Sequence, residues 1–366
     1  MVSSTPLRFG NGSRFVYTTT DHLGRVAYAG GLVLEPSAPW PGPGPVPTIA
    51  FAPGTRGDGD ACANSNSIIG TFDPLTGAVG TNYESPIHIA ASLSGIRVVV
   101  TDYIGVGTPS VPGYTVTDEE GTALIDAARA AFHLRELPAD SPLGFYGYSQ
   151  GGGAAAAAAE QVDEYAPELN VKGTYSGAAP ANLLEVMPAI DGSAISGVLG
   201  MSTNGYMDRY PEIRKVVDEK FNARGKQLLQ EAKTSCVADL SLRWAFTDTR
   251  TLTTTGESFP EVAWRSPEFR SALQEQRLGQ KKPSAPILVN SGNGDDVIPN
   301  EQVRQMARDY CELGATVDLN ANLTPLVPGK WALNHMGPTY GDAPLSINWL
   351  IDRFKDIPAP SDCGNI

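Results

Sequence analysis

LGFYGYSQGGGAAAAAA, residues 143–159, is the stretch that decides the fold. A short apolar run leads into Gly147-Tyr148-Ser149-Gln150-Gly151, which matches the pattern G-x-S-x-G. Two further glycines and six alanines follow it. The pattern alone is weak in a glycine-rich chain, where an ordinary turn with an exposed serine also fits. Between an apolar strand and a helix of small residues, it indicates a sharp turn that presents the Ser149 hydroxyl.

On both sides of this turn, short apolar runs bounded by turn residues alternate with helical patterns. The predicted strands are 48–52, 95–101, 143–146, 286–290 and 315–319, and the predicted helices are 117–134, 301–313 and 345–354. A capping box over Thr117–Glu120 is expected to open the first of these helices. The alternation predicts a mostly parallel sheet flanked by helices. Combined with the turn at Ser149, it predicts the α/β-hydrolase fold.

One region interrupts the alternation. Residues 182–282 are mainly helical in pattern and contain no run that resembles a central strand. We therefore expect three segments along the chain: a first part of the α/β-hydrolase core at 1–181, a mainly helical cap at 182–282, and the rest of the core at 283–366. An insertion of this size between two strands is expected to cover the site.

Composition excludes several classes of function. The 366 residues carry a formal net charge of −13, which disfavours nucleic acid as a partner. No apolar run approaches the roughly 18 residues of a membrane span. No signal peptide is visible, so Met1 is interpreted as an expression start that replaces a removed leader. No metal or organic cofactor is expected.

A serine hydroxyl needs a base and an orienting carboxylate to act as a nucleophile. In this fold the chain order is serine, acid, histidine, and only His335 of the four histidines follows Ser149. The acid is expected after the strand at 286–290, where Asp295 and Asp296 are adjacent. The pattern D-x-x-[VI]-P favours Asp295 and leaves Asp296 as the alternative.

Catalysis of acyl transfer also needs two N–H groups for the oxyanion. The backbone N–H of Gln150, directly after Ser149, is expected to be one. The loop after strand 48–52 should supply the other, from Thr55 or, as the alternative, Arg56.

Four widely spaced cysteines lie at positions 62, 236, 311 and 363. Their even number in a loop-rich acidic chain fits two disulfides, with three pairings open. Four buried free thiols are the alternative. Their spacing does not match a zinc site.

Several segments resemble the secretory lipases of the Candida antarctica lipase A type, a family with actinobacterial members. The likeness covers most of the chain. The segments that carry it are DACANS at 60–65, TDY at 101–103, the turn at Ser149, EYAPELN at 164–170, FNARG at 221–225, DDVIP at 295–299 and NH at 334–335.

This resemblance implies a Ser149–Asp295–His335 triad, a helical cap over an acyl-binding tunnel, and secretion. It also implies disulfides that pair Cys62 with Cys236 and Cys311 with Cys363. Two features depart from the family pattern. Gln150 stands where a glycine is usual, and the chain ends at Ile366, without a longer tail that would act as a flap.

Four functions follow from these observations. The first is a secreted lipase acting on long-chain acylglycerols, with an ester substrate or a lipid–water interface as its partner. The second is a carboxylesterase for short soluble esters. A serine peptidase and a non-catalytic protein on a hydrolase scaffold are the remaining alternatives.

Overall fold

The computed structural model describes residues 3–6, 11–67, 69–322 and 327–366. These residues form a nine-stranded sheet and a small two-stranded hairpin. The strands are β1 (Ser3–Pro6), β2 (Gly12–Thr20), β3 (Val26–Leu34), β4 (Thr48–Ala52), β5 (Gly70–Phe72), β6 (Val79–Thr81), β7 (Arg97–Ile104), β8 (Pro142–Tyr148), β9 (Asn170–Gly177), β10 (Ile287–Gly292) and β11 (Val317–Asn322).

Helices connect and cover the strands. They are α1 (Ser85–Leu93), α2 (Thr117–Leu134), α3 (Gln150–Tyr165), α4 (Leu183–Ile190), α5 (Val198–Arg209), α6 (Pro211–Lys220), α7 (Ala223–Ala232), α8 (Val237–Trp244), α9 (Phe259–Arg265), α10 (Pro267–Glu275), α11 (Asn300–Glu312), α12 (Leu333–Gly341) and α13 (Ala343–Phe354). Short 3-10 turns lie at Asp60–Cys62, Asn64–Asn66 and Thr249–Leu252.

The large sheet has the order β1-β2-β3-β7-β4-β8-β9-β10-β11. Pairing is antiparallel from β1 to β7 and parallel from β7 to β11. The expected mostly parallel sheet is therefore confirmed. The parallel strands end at the same edge, and the turn at Ser149 follows one of them, β8.

Alternate side chains of the central strands enter two separate cores. Ile49 and Phe51 of β4 belong to one cluster, with α1, α11 and α13, while Ala50 and Ala52 face α2 and α3. This alternation is what a strand covered on both faces requires. The alanines of α3, residues 154–159, are almost completely buried, so this helix packs close to the sheet.

Between β9 and β10, the structure is helical throughout its regular elements, from α4 to α10. We call residues 182–282 the helical insertion. Its apolar side chains continue the core on the side of α1 and α11.

Several elements differ from the sequence-based expectation. Strands β1, β2 and β3 were not identified from the sequence. Strand β9 (NVKGTYSG) was also missed, because it is largely polar and rich in small residues. The capping box at Thr117 is wrong. Val116 is the N-cap of α2 and no side chain caps it, while the Thr117 hydroxyl donates to the carbonyl of Gln276.

Two disulfides are present, Cys62–Cys236 and Cys311–Cys363. The first joins the loop after β4 to the start of α8 in the helical insertion, beside a short backbone bridge between Gly57 and Cys236. The second joins α11 to the C-terminal segment. These are the pairings that the family resemblance implies.

Removal of the first disulfide is expected to destabilise the protein more than removal of the second. The cysteines are separated by 174 and 52 residues, so loop entropy predicts losses of about 5 and about 4 kcal/mol in the free energy of unfolding. Urea unfolding followed by fluorescence would compare the double variants C62S/C236S and C311S/C363S. An equal or smaller loss for the first pair would contradict the expectation.

No helix in the described ranges is long and apolar enough to cross a membrane.

Candidate functional site

Ser149 occupies a strained turn between β8 and α3. Its backbone has φ 58° and ψ −125°, a combination that residues other than glycine rarely adopt. The turn is sterically tight on both sides. A Cβ atom on Gly147 would lie 1.9 Å from the carbonyl oxygen of Gly151, and one on Gly151 would lie 1.9 Å from that of Ala52. The small residues of the motif are therefore required by the backbone.

The structure brings Ser149, His335 and Asp295 into one hydrogen-bonded chain. His335 Nε2 lies 2.8 Å from Ser149 Oγ, and His335 Nδ1 lies 2.7 Å from Asp295 Oδ2. His335 is in the first turn of α12, and its side chain and that of Asp295 are almost fully buried. The other oxygen of Asp295 accepts the backbone N–H groups of Val297 and Ile298, at 2.9 and 2.8 Å.

Asp296 makes a different contact. Its Oδ1 accepts the backbone N–H of His335 at 3.2 Å and does not bond the imidazole. The hydroxyl of Tyr148 donates to the carbonyl of His335 at 2.8 Å, and the two rings lie 5.3 Å apart. Both side chains therefore hold the start of α12, which fixes the position of the histidine.

The loop after β4 places Thr55 beside the serine. Thr55 and Gln150 line the same cavity as Ser149. Within the described part of the chain, neither the Thr55 nor the Gln150 backbone N–H has a hydrogen-bond acceptor. The loop is held in place because Thr55 Oγ1 bonds Tyr114 Oη at 2.8 Å and the Thr55 carbonyl accepts the Tyr83 hydroxyl at 3.1 Å.

Arg56 points away from this cavity. Its guanidinium donates to Asn82 Oδ1 at 3.1 Å and stacks over the Tyr83 ring. It lines a second cavity behind the loop. Glu84 accepts the Gly54 N–H at 2.9 Å, and burial raises the pKa of this carboxyl to about 7.

The cavity at Ser149 is narrow, with a volume of about 30 Å³, and is mainly apolar. Helices α4 and α5 of the helical insertion supply much of its wall, and the segment after Asp296 also contributes. The apolar lining residues are Pro180, Leu183, Val186, Met187, Ile190, Ile195, Val198, Leu199, Val297 and Ile298. The lining of this chamber suits an apolar group next to the serine hydroxyl.

Sequence reasoning missed several residues at the site. Tyr148 and Tyr114 were not identified, because their roles depend on which loops meet. Glu120 was assigned to a helix cap, but its carboxylate accepts the side-chain amide of Gln150 at 2.7 Å. The departure from the family pattern at Gln150 was the one available signal for this contact. Among the described residues, no three His, Cys, Asp or Glu side chains are grouped to hold a metal.

Solved structures with the same fold include Candida antarctica lipase A in its closed state, with a TM-score of 0.79 and 20% identity. That match covers 100% of this chain and 84% of the lipase. The rice cell wall degrading esterase LipA of Xanthomonas oryzae matches with a TM-score of 0.76 and 20% identity, over 93% of this chain and 90% of the esterase. These likenesses confirm the α/β-hydrolase fold.

Two curated relatives have higher sequence identity to this chain than these solved structures, but the matches cover a smaller share of the relatives' length. A secreted triacylglycerol lipase of Malassezia globosa is 30% identical over 67% of this chain and 53% of its own. A Mycobacterium tuberculosis protein named a probable inactive lipase is 28% identical over 76% of this chain and 59% of its own. The chain therefore spans little more than half the length of these two relatives.

The family model described as secretory lipase matches residues 74–362. This range includes Ser149, Asp295 and His335 and most of the sheet. It confirms the resemblance seen in the sequence. The chain belongs to the secretory lipase family.

Proposed function

We propose that this protein is a serine hydrolase of carboxylic esters, with Ser149 as nucleophile, His335 as base and Asp295 as the orienting acid. The observation that carries the proposal is the chain of two short contacts, 2.8 Å from Ser149 Oγ to His335 Nε2 and 2.7 Å from His335 Nδ1 to Asp295 Oδ2. Membership of a lipase family supports the reaction class. Acylglycerols are the proposed substrates.

In the proposed reaction, His335 Nε2 accepts the proton of the Ser149 hydroxyl while Oγ attacks the ester carbonyl. The resulting imidazolium protonates the leaving alcohol, which leaves an acyl group on Ser149. Water then attacks the acyl carbonyl, gives its proton to His335, and releases the carboxylic acid as the serine recovers its proton. Asp295 remains ionised and holds the Nδ1–H tautomer throughout.

The proposed oxyanion donors are the backbone N–H groups of Gln150 and Thr55. Both residues line the cavity with Ser149, and the described residues leave both N–H groups without acceptors. Arg56, the alternative, lines the other side of the loop. Negative charge that develops on the carbonyl oxygen would then be met by donors already in place.

The helical insertion is proposed to act as a cap domain between the two parts of the core, at 1–181 and 283–366. Its support is the wall that α4 and α5 build around the cavity. The acyl chain of the ester would lie in this apolar chamber, with its carbonyl carbon at Ser149.

The test is hydrolysis of p-nitrophenyl esters from C2 to C16, with Ser149→Ala as control. Each methylene that enters the chamber is worth about 0.8 kcal/mol, so kcat/KM should rise by up to about fourfold per carbon until the chamber is filled. Serine-dependent activity confined to C2–C4 would point to a short-chain carboxylesterase instead. Cleavage of peptide p-nitroanilides in preference to esters would point to a peptidase.

Val198→Phe is expected to shorten the preferred acyl chain. Val198 lines the chamber from α5, and a phenyl ring there displaces about two methylenes of bound chain. The loss should be about 1.6 kcal/mol, or about 15-fold in kcat/KM, for the longest good substrate. The acetate ester should be unaffected.

The matched control for this variant is Leu242→Phe, because Leu242 is exposed on α8 of the same insertion. It should leave the chain-length profile unchanged. A profile in Val198→Phe that is identical to the parent's would contradict the assignment of the chamber to the acyl group.

The relative named a probable inactive lipase makes a second function, a non-catalytic hydrolase-fold protein, worth testing directly. A fluorophosphonate probe should label the parent protein at Ser149 and leave Ser149→Ala unlabelled. Failure of the folded parent to react would favour the non-catalytic alternative.

The two disulfides, together with relatives named as secreted, are consistent with an extracellular location. We propose secretion on these grounds.

A further inference from the structure

Glu120 connects three parts of the candidate site, although it lies in the first turn of α2 and outside the proposed triad. One carboxylate oxygen, Oε1, accepts two hydrogen bonds. The side-chain amide of Gln150 donates at 2.7 Å, and the backbone N–H of Thr115 donates at 2.9 Å. Glu120 is only 3% exposed, so these bonds lie away from bulk solvent.

Both donors belong to residues that line the chamber at Ser149. Gln150 begins α3, and its backbone N–H is the proposed oxyanion donor. Its side chain is 7% exposed and, through Glu120, ties the first residue of α3 to α2. Movement of this residue would therefore move the N–H that faces the developing charge.

Thr115 has a strained backbone. Its φ is 64°, a left-handed conformation that costs free energy for a β-branched residue. Its N–H is held by Glu120, its carbonyl accepts the Tyr206 hydroxyl at 3.1 Å, and its hydroxyl bonds Ser202 of α5 at 2.8 Å. The strained residue thus joins the core to the helical insertion at the chamber wall.

We propose that Glu120 is a positioning residue for ester hydrolysis. It fixes Gln150, whose backbone N–H is the proposed oxyanion donor, relative to Thr115, which lines the chamber at Ser149. The inference rests on the proposed function of Ser149. It requires a side chain at position 150 that can donate, and Gln150 provides one.

The protonated carboxyl is the form suited to this role. Burial raises the pKa of Glu120 to about 8, and an ionised carboxylate here would oppose negative charge on the substrate carbonyl oxygen. A neutral carboxyl keeps Oε1 as an acceptor without that repulsion. The charged and titratable groups nearby are Asp118 and Glu119 of α2, Arg56 and Asp58 of the loop after β4, Asp102 and Tyr103 of β7, Tyr114, and Arg209 of α5, which pairs with Glu119.

The experiment compares Glu120→Ala and Glu120→Gln with the parent, using p-nitrophenyl butyrate from pH 6 to 10 with background hydrolysis subtracted. Loss of one oxyanion donor costs about 10²- to 10³-fold in kcat, so a misplaced donor should cost about 30- to 100-fold in Glu120→Ala, with KM changed less than about threefold. Glu120→Gln, neutral and of the same shape, should recover kcat to within about threefold of the parent. The unmodified protein is expected to lose kcat above about pH 8, where Glu120 ionises, and Glu120→Gln should lack this decline.

Glu160→Gln is the matched control. Glu160 is a largely buried carboxyl near the other end of α3, it accepts the Tyr310 hydroxyl at 2.7 Å, and burial raises its pKa as well. Its neutralisation should leave both kcat and the alkaline decline as in the parent.

Two results would overturn the proposal. One is a folded Glu120→Ala whose kcat is within about twofold of the parent. The other is an alkaline decline in Glu120→Gln identical to the parent's, which decides the question even where the alanine variant does not fold. If activity still depends on Ser149, either of these results refutes only the role of Glu120. If activity survives in Ser149→Ala, the proposed function itself is refuted.

Discussion

Replacing Ser149 by alanine is expected to lower kcat for p-nitrophenyl esters by about 10⁵- to 10⁶-fold. The variant removes the atom that forms the acyl-enzyme, and loss of the nucleophile in a serine hydrolase costs about as much as loss of the whole triad. KM should change little, because the chamber and the loop with Thr55 are untouched.

The fold should survive this substitution. Alanine keeps the Cβ atom at φ 58°, and the Ser149 N–H still donates to the carbonyl of Gly177 at 2.9 Å. Circular dichroism and the thermal midpoint of the purified variant serve as controls. Esterase activity near that of the parent in a folded Ser149→Ala would show that the nucleophile lies elsewhere.

Asp295→Asn is expected to lower kcat by about 10⁴-fold, the cost of the equivalent change in a known triad. The amide is similar in shape, but it can donate to His335 Nδ1 and so favours the wrong imidazole tautomer. The oxygen that accepts the Val297 and Ile298 N–H groups can be retained, so the loop is expected to keep its conformation.

Asp296→Asn is the matched control, one residue away in the same loop. Asp296 accepts only the backbone N–H of His335 among the described contacts, and an asparagine oxygen can do the same. Its kcat should fall by less than about tenfold. If Asp296→Asn lowers kcat as much as Asp295→Asn does, the choice of Asp295 over Asp296 as the orienting acid loses its support.

Sequence periodicity predicted the elements whose burial is uniform. The helix at 117–134 has the bounds that were expected, and strand 48–52 does as well. Strand β9 escaped detection because its side chains are small or polar, although it lies between β8 and β10. Tertiary pairing, and not local composition, makes it a central strand.

In the candidate site too, some residues could be predicted from the sequence and others depended on tertiary contacts. Residues whose role depends on chain order, Ser149 and His335, were singled out, and the structure places them within hydrogen-bond distance. The choice between Thr55 and Arg56 depended on how one loop folds, which no pattern in the sequence specifies. Glu120 was placed in a helix cap because the local motif resembled one, whereas its partners lie 5 residues before it and 30 residues after it in the chain.

The Cys62–Cys236 disulfide also restricts how the chamber opens. It fixes the start of α8 to the loop that carries Thr55, with the two Cα atoms 5.5 Å apart. A rigid translation of the helical insertion away from the core would have to separate these two atoms, so it cannot occur while the disulfide is intact.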